Sequence, residues 1–147
     1  MGRNDDIQQQ LLAVFQIELQ EHVATLNQGL LKLEQGLEED KMEALLAEVF
    51  RAAHSLKGAA RGVGVIDVET LAHKVEDVLS AMRQGSLDPT PMIFDALFSL
   101  VDAFGEAMRA FMGEQRLSVA RRDQLFETLD SAIKGEQQAD HLSPESQ

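Results

Sequence analysis

Apolar residues recur every three or four positions along most of the chain, which is the spacing of one face of an α-helix. β-branched residues are sparse, strict alternation of apolar and polar residues is absent, and Leu, Ala, Glu, Gln and Met dominate. The three prolines are Pro89, Pro91 and Pro144, so none interrupts a helix before residue 89. The sequence therefore predicts an all-α protein.

Glycines, prolines and polar residues divide this pattern into five predicted helices. Their expected bounds are Asp5 to Glu34, Asp40 to the glycines at 58, 62 and 64, Asp67 to Gly85, Pro91 to Gly113, and Ser118 to Ile133. Asp67 is expected to cap the third helix, because its carboxylate can accept a hydrogen bond from a free backbone N–H there. Four long amphipathic helices with short connections predict an antiparallel up-and-down four-helix bundle, with the fifth as an additional C-terminal helix.

The apolar stripe of the first predicted helix is expected to face the core. It consists of Leu11, Val14, Phe15, Leu19, Val23, Leu26, Leu30 and Leu33. The bundle and the fifth helix are predicted to form one domain over residues 5–135. The chain is polar after Gly135, which predicts a disordered tail or the start of a linker over residues 136–147. We therefore expect a fragment from the N-terminal part of a larger protein.

Net charge and composition narrow the possible partners. The 147 residues include 25 acidic and 13 basic ones, and the net charge of −12 repels nucleic-acid phosphates and anionic membrane surfaces. Cys is absent, which excludes disulfides, thiolate zinc sites and thiol catalysis. The polar N-terminus and the lack of a long apolar run predict a cytoplasmic protein that binds neither nucleic acid nor membrane. We expect the isolated domain to be a monomer.

One segment departs from the acidic character of the chain. No acidic residue occurs between Phe50 and Ile66, whereas Arg51, Lys57 and Arg61 all lie there. This local excess of positive charge favours the binding of an anion, and a chance fluctuation of composition is the alternative.

His54 is predicted to lie on the outer side of the second helix. It is about 130° around the helix from the centre of the apolar stripe formed by Leu45, Val49, Ala53, Leu56 and Ala60. Gly58 follows one turn later, where a glycine costs about 1 kcal/mol relative to Ala. The missing side chain leaves room beside the imidazole for a bulky group or another protein. A plain surface histidine and fraying of the helix toward Gly62 are the alternatives.

An exposed imidazole with a nearby cation and open space is suited to carrying a phosphoryl group. Neutral imidazole is a competent nucleophile, and Lys57 can neutralise part of the phosphoryl charge. On the third predicted helix, His73 and Glu76 are neighbours on one flank. An antiparallel neighbour can bring Glu76 against His54, where it would accept one ring N–H and leave the other nitrogen free to attack. An ordinary surface pair is the alternative.

Two segments resemble the signatures of one protein family. The run HSLKGAA at 54–60, followed by Gly64, matches the His-x-Leu-Lys-Gly-[Ala/Ser] signature of histidine phosphotransfer domains. The run LAHKVE at 71–76, followed by Leu79 and Arg83, resembles the second signature helix of the chemotaxis kinase (CheA-type) branch of that family. The two runs have the separation of that branch, and the resemblance covers about residues 5–135.

The resemblance implies a fold and a set of residue roles. The fold is an up-and-down four-helix bundle with one additional C-terminal helix. His54 would accept the phosphoryl group, with Lys57 as the nearby cation. Glu76 would orient the His54 ring, His73 would belong to the same network, and Gly58 would keep the histidine accessible.

The resemblance also implies partners. A separate ATP-binding kinase domain would supply the phosphoryl group, and an Asp of a response-regulator receiver domain would take it. ATP and Mg²⁺ would belong to these partners, so no cofactor is expected in this chain, which also lacks a Walker-type phosphate loop. We expect no autonomous catalysis but the phospho-accepting part of a larger protein-histidine kinase, with Arg51 and Arg61 completing its binding surface.

Two other classes of protein are alternatives. A metal-binding bundle requires Glu-x-x-His on two helices, and this spacing occurs nowhere in the sequence. A non-catalytic acidic helical adaptor accounts for the bundle and the charge, but not for a helix-interior glycine beside an exposed histidine. Acid-labile phosphate labelling distinguishes the adaptor from a phosphotransfer domain.

Overall fold

The computed structural model describes residues 3–141 of the chain, and the side chains of residues 4–135. Within those residues it contains no strand and five helices, which are α1 (Arg3–Gln35), α2 (Glu39–Val63), α3 (Ile66–Arg83), α4 (Pro91–Met112) and α5 (Val119–His141). The predicted all-α class is confirmed.

The first four helices form a closed bundle. α1 packs on α2, α2 on α3 and α3 on α4, while α4 also packs on α1 and α5 lies against α4. Consecutive helices are joined by short connections, such as residues 64–65 between α2 and α3, so that neighbours run in opposite directions. The predicted up-and-down bundle with an additional C-terminal helix is confirmed. Among residues 3–141, no helix is long and apolar enough to cross a membrane.

A single core receives side chains from every helix. Its fully buried members include Phe15, Leu56, Leu71, Phe104 and Leu129. α4 is the most deeply embedded of the helices, with ten buried residues. This core holds α2 and α3 side by side, which positions the polar residues on their outer faces.

Two predicted core positions of α1 are wrong. Leu11 is 48% exposed and Val14 is 53% exposed. Val14 directly precedes the buried Phe15 and therefore points about 100° away from it around the helix. Leu12 packs against the core in place of its neighbour Leu11.

Asp67 does not cap α3, so this prediction is wrong. The helix begins at Ile66, its N-cap residue is Val65, and no side chain caps it. Asp67 is instead buried, and its carboxylate accepts two hydrogen bonds of 2.8 Å from Arg116 and one of 2.8 Å from the backbone N–H of Leu117. A bidentate guanidinium binds a carboxylate more strongly than a neutral N–H does. The interaction ties the α4–α5 connection to the start of α3.

We expect Asp67→Asn to lower the free energy of unfolding by about 1–2 kcal/mol at pH 7, because the ion pair is lost. The hydrogen bonds from Arg116 hold the pKa of Asp67 below its ordinary value, against the effect of burial. The stabilisation is therefore complete above the unfolded pKa of about 3.9 and is lost as the pH falls through the lower folded value. Urea unfolding of both proteins at neutral and at acidic pH measures this.

The control for this prediction is Asp123→Asn, because the side chain of Asp123 is 55% exposed and its closest cation, Arg122, is 3.7 Å away. This variant is expected to unfold like the wild type at both pH values. The free energies of unfolding of Asp67→Asn and of the wild type are expected to converge at acidic pH. A difference as large at acidic pH as at neutral pH would contradict the assigned role of the carboxylate.

α5 is longer than predicted. It continues to His141, past the expected end at Ile133, so the structure differs from the predicted disordered tail over residues 136–141. Residues 134–141 contain no proline, and a single glycine costs about 1 kcal/mol without ending a helix. The rest of the predicted tail, residues 142–147, lies outside the described residues.

Candidate functional site

His54, Lys57 and Glu76 meet on the outer faces of α2 and α3. The short α2–α3 connection begins at Gly64, whose φ of +80° favours glycine. Nδ1 of His54 lies 3.1 Å from Oε2 of Glu76. Nζ of Lys57 lies 3.0 Å from Oε1 and 2.9 Å from Oε2 of the same carboxylate. The antiparallel register of α2 and α3 thus places one carboxylate between a histidine and a lysine.

Burial differs strongly within this cluster. The side chain of His54 is 63% exposed, whereas those of Lys57 and Glu76 are 25% and 13% exposed. The carboxylate is therefore largely shielded from water, whereas the imidazole lies on the open surface. The predicted exposure of His54 is confirmed.

The two hydrogen bonds determine the charge of Glu76. Burial raises the pKa of this carboxyl, but the hydrogen bonds from Lys57 and from His54 outweigh it and hold the pKa below its ordinary value. Glu76 is therefore ionised at neutral pH and can only accept hydrogen bonds. Nδ1 of His54 is then the donor, and in the neutral ring this tautomer has its lone pair on Nε2.

Open space adjoins the histidine on the C-terminal side. α2 continues without interruption through Gly58 and ends at Val63, so fraying at Gly58 does not occur. A Cβ atom added at Gly58 would meet nothing within 4 Å. A partner can therefore approach the surface one turn beyond His54, while the access role of the glycine stays a prediction.

Three other predicted site residues lie apart from this cluster. Arg51 and Arg61 are exposed on α2, and no side-chain contact joins them to His54, Lys57 or Glu76 in the described part of the chain. Nε2 of His73 lies 3.6 Å from Asp77, its neighbour one turn later on α3, and both side chains are more than 60% exposed. The structure therefore does not bring His73 to His54, and its membership of the network stays a prediction without a supporting contact.

Sequence reasoning missed two residues beside the histidine. The ring of Phe50 is stacked with that of His54, with 6.2 Å between centroids and 10° between planes. The guanidinium carbon of Arg83, on α3, lies 4.9 Å from the centroid of the Phe50 ring. The sequence signal was present, because Phe50 precedes His54 by four residues and therefore lies one helical turn away.

The cluster has the parts of a phosphoryl acceptor. Nε2 of His54 is an exposed nucleophile, and the Glu76 carboxylate holds the proton on the other ring nitrogen. Lys57 has three N–H donors, and it uses one of them in its hydrogen bond to Oε1 of Glu76. Within the side chains that the structure describes, no group of three or more His, Asp or Glu residues is arranged to hold a metal ion.

Comparison with known proteins gives one family match and several relatives. The model of the Hpt domain family matches residues 10–111, from α1 to the last turn of α4. The chemotaxis protein CheA of Halobacterium salinarum is 43% identical over 91 residues, or 62% of this chain. The chemotaxis protein CheA of Rhizobium meliloti is 32% identical over 123 residues, or 84% of this chain. The chain spans only 13% and 16% of the lengths of these two relatives.

A solved structure that shares the fold supports this comparison. It is the crystal structure of the phosphorylated P1 domain of CheA3 in complex with CheY6 from R. sphaeroides. The TM-score is 0.72, the sequence identity is 22%, and the match covers 86% of this chain and 98% of that one. The helical bundle described above is therefore a fold already seen in a solved structure.

Proposed function

The chain belongs to the Hpt domain family, and on this premise we propose that it carries a phosphoryl group on His54 in two-component, chemosensory signalling. The phosphoryl group comes from an ATP-dependent histidine kinase domain and goes to an Asp of a response-regulator receiver domain. The observation on which the proposal rests is the hydrogen bond from Nδ1 of the exposed His54 to Glu76. In the neutral ring this hydrogen bond places the proton on Nδ1 and the lone pair on Nε2, which is the atom that a phosphoryl acceptor requires.

The first step of the proposed reaction forms a P–N bond. Nε2 of His54 attacks the γ-phosphorus of ATP, the bond from that phosphorus to the bridging oxygen breaks, and ADP leaves with the electron pair. Glu76 keeps the proton on Nδ1 and stabilises the positive charge that the ring gains. Lys57 has N–H donors beyond the one that Glu76 accepts, and these can bind a phosphoryl oxygen.

The second step returns the histidine to its starting state. A carboxylate oxygen of the receiver Asp attacks the phosphorus, the P–N bond breaks, and its electron pair returns to Nε2. Because Nδ1 stays protonated, the ring leaves as neutral imidazole, which is a better leaving group than its anion. ATP and Mg²⁺ belong to the partner domains in this proposal.

The names of similar proteins support the choice of partners. The relatives are chemotaxis proteins named CheA, and the solved neighbour is a phosphorylated P1 domain in complex with CheY6. By analogy, the kinase domain of a CheA protein is the proposed donor and a CheY-type receiver the proposed acceptor. The predicted cytoplasmic location and the domain bounds of 5–135 are part of the same proposal.

Radiolabelling tests the proposed function. The chain is incubated with γ-³²P-ATP and the separate kinase domain of a CheA relative, and a receiver domain with Mg²⁺ is then added. We expect a label that acid removes and base does not, as for a P–N bond, and its movement to the receiver. An absence of label, or an acid-stable label that the receiver does not remove, would support the non-catalytic adaptor instead.

Glu76→Gln is expected to slow phosphorylation of His54 about tenfold without unfolding the bundle. A neutral amide stabilises the charged ring less, and it leaves Lys57 without its carboxylate partner. Initial rates of labelling, compared at equal folded fractions by circular dichroism, measure the effect.

The matched control for this prediction is Asp77→Asn. It removes one negative charge from the next residue of α3, whose side chain is 65% exposed and lies beside His73. We expect its labelling rate to match that of the wild type. Equal rates for Glu76→Gln and Asp77→Asn would show that the hydrogen bond to His54 has no role in the reaction.

A further inference from the structure

The hydrogen bond to Glu76 holds one point of the His54 ring. It joins Nδ1 to Oε2 at 3.1 Å, but a single hydrogen bond allows the ring plane to turn about that contact. The direction of the Nε2 lone pair depends on this plane. Gly58 offers no side chain on the C-terminal side to restrain it, so a further restraint from the same face of α2 has to come from the N-terminal side.

Phe50 is on that side. In a helix, side chains lean toward the N-terminus, so the ring of residue 54 leans toward residue 50. The two rings are nearly parallel, with 10° between planes and 6.2 Å between centroids, within the range of offset stacking. This nearly parallel, offset arrangement concerns the plane of the imidazole, which the hydrogen bond to Glu76 does not fix.

Phe50 is itself held in place. Its side chain is half-buried, and it packs against the core. The guanidinium of Arg83 lies over its ring at 4.9 Å, a distance at which a cation is attracted to an aromatic face. α3 thus contributes two contacts on the histidine side of the bundle. Glu76 binds the ring of His54 directly, and Arg83 contacts Phe50 of α2, which in turn lies beside that ring.

We propose that Phe50, held by Arg83, is a positioning residue that fixes the plane of the His54 imidazole and so aims Nε2 away from the bundle. The rate consequence of this inference rests on the proposed function, whereas the order of the ring does not. A fixed ring approaches a phosphorus atom in one orientation, which avoids the entropic cost of selecting it during the reaction.

The test compares Phe50→Leu with Phe126→Leu. Phe126 is a matched control, because its side chain is also half-buried and Nζ of Lys74 lies 5.3 Å from its ring centroid. Unlike Phe50, it lies on α5. NMR relaxation of the His54 ring carbons is expected to show more ring motion in Phe50→Leu than in the wild type. In the control variant the ring motion is expected to equal that of the wild type. Phosphorylation by phosphoramidate, a small donor that needs no protein partner, is expected to slow about three- to tenfold in Phe50→Leu alone.

A second pair of variants covers the case in which Phe50→Leu does not fold. Arg83→Gln removes the exposed cation over Phe50, and Lys74→Gln removes the cation over Phe126. Increased motion of the His54 ring in Arg83→Gln, but not in Lys74→Gln, would support the proposal. Unchanged ring motion in Arg83→Gln, or in a folded Phe50→Leu, would overturn it.

The two proposals fail in different ways. If wild-type His54 accepts no phosphoryl group from either donor, the proposed function is wrong, and the NMR comparison still decides the role of Phe50. If His54 is phosphorylated but Phe50→Leu reacts at the wild-type rate with an unchanged ring, the proposed function stands and the positioning role is wrong.

Discussion

His54→Gln is expected to abolish phosphorylation completely, because Nε2 of this residue is the only nucleophile that the proposed reaction uses. The variant is expected to keep its fold, since the His54 side chain is 63% exposed and leaves no cavity in the core when it is replaced. Radiolabelling with the kinase domain of a CheA relative measures the loss, and circular dichroism checks the fold.

The control for the histidine is His22→Gln. His22 lies half-buried on α1, and replacing it removes one imidazole from the chain without changing His54, Lys57 or Glu76. We expect this variant to be labelled as strongly as the wild type. Label that persists undiminished in His54→Gln would show that another group accepts the phosphoryl group.

Gly58→Leu is expected to stabilise α2 and to slow phosphotransfer about 100-fold, since a small misplacement of reacting groups has an effect of that size. Leu favours a helix by roughly 0.5–1 kcal/mol over Gly. An added Cβ would meet nothing within 4 Å, so no clash offsets this gain. If Gly58 has the predicted access role, the new side chain occupies the space through which a kinase or receiver domain would reach His54.

Two comparisons separate access from other effects of the leucine. Gly135→Leu, in α5, also adds a side chain where nothing lies within 4 Å, and it is expected to transfer phosphate at the wild-type rate. Phosphoramidate is small enough to reach His54 past the leucine, so Gly58→Leu is expected to react with it far better than with the protein donor. A Gly58→Leu variant that is stable and fully active with protein partners would exclude the access role.

The sequence was sufficient for most of the fold. Apolar spacing, glycines and prolines act within a few residues, and they predicted the five helices and the bundle. The error on α1 has a local cause, since a stripe that includes both Val14 and Phe15 is wider than the face that α1 buries. At Asp67 the capping prediction was wrong because Arg116, from the α4–α5 connection, competes for the carboxylate.

Part of the site was also accessible from sequence. The helical wheel of α2 placed His54 outside, and the missing side chain at Gly58 was plain from its identity. The wheel alone could not show which residue of α3 reaches His54, because that depends on how far the two helices are shifted along each other, and it was the family resemblance that pointed to Glu76. The same wheel put His73 and Glu76 on one flank, yet the packing brings Glu76 to the histidine and leaves His73 beside Asp77.

The sequence by itself determined which elements form and which face of each points outward, because both follow from the chemistry of residues within one or two helical turns. The tertiary structure alone decided that one shielded carboxylate is shared by His54 and Lys57, and that Arg83 lies over Phe50. These contacts join residues on α2 with residues on α3. They exist only once burial of the common core has set the register of the two helices.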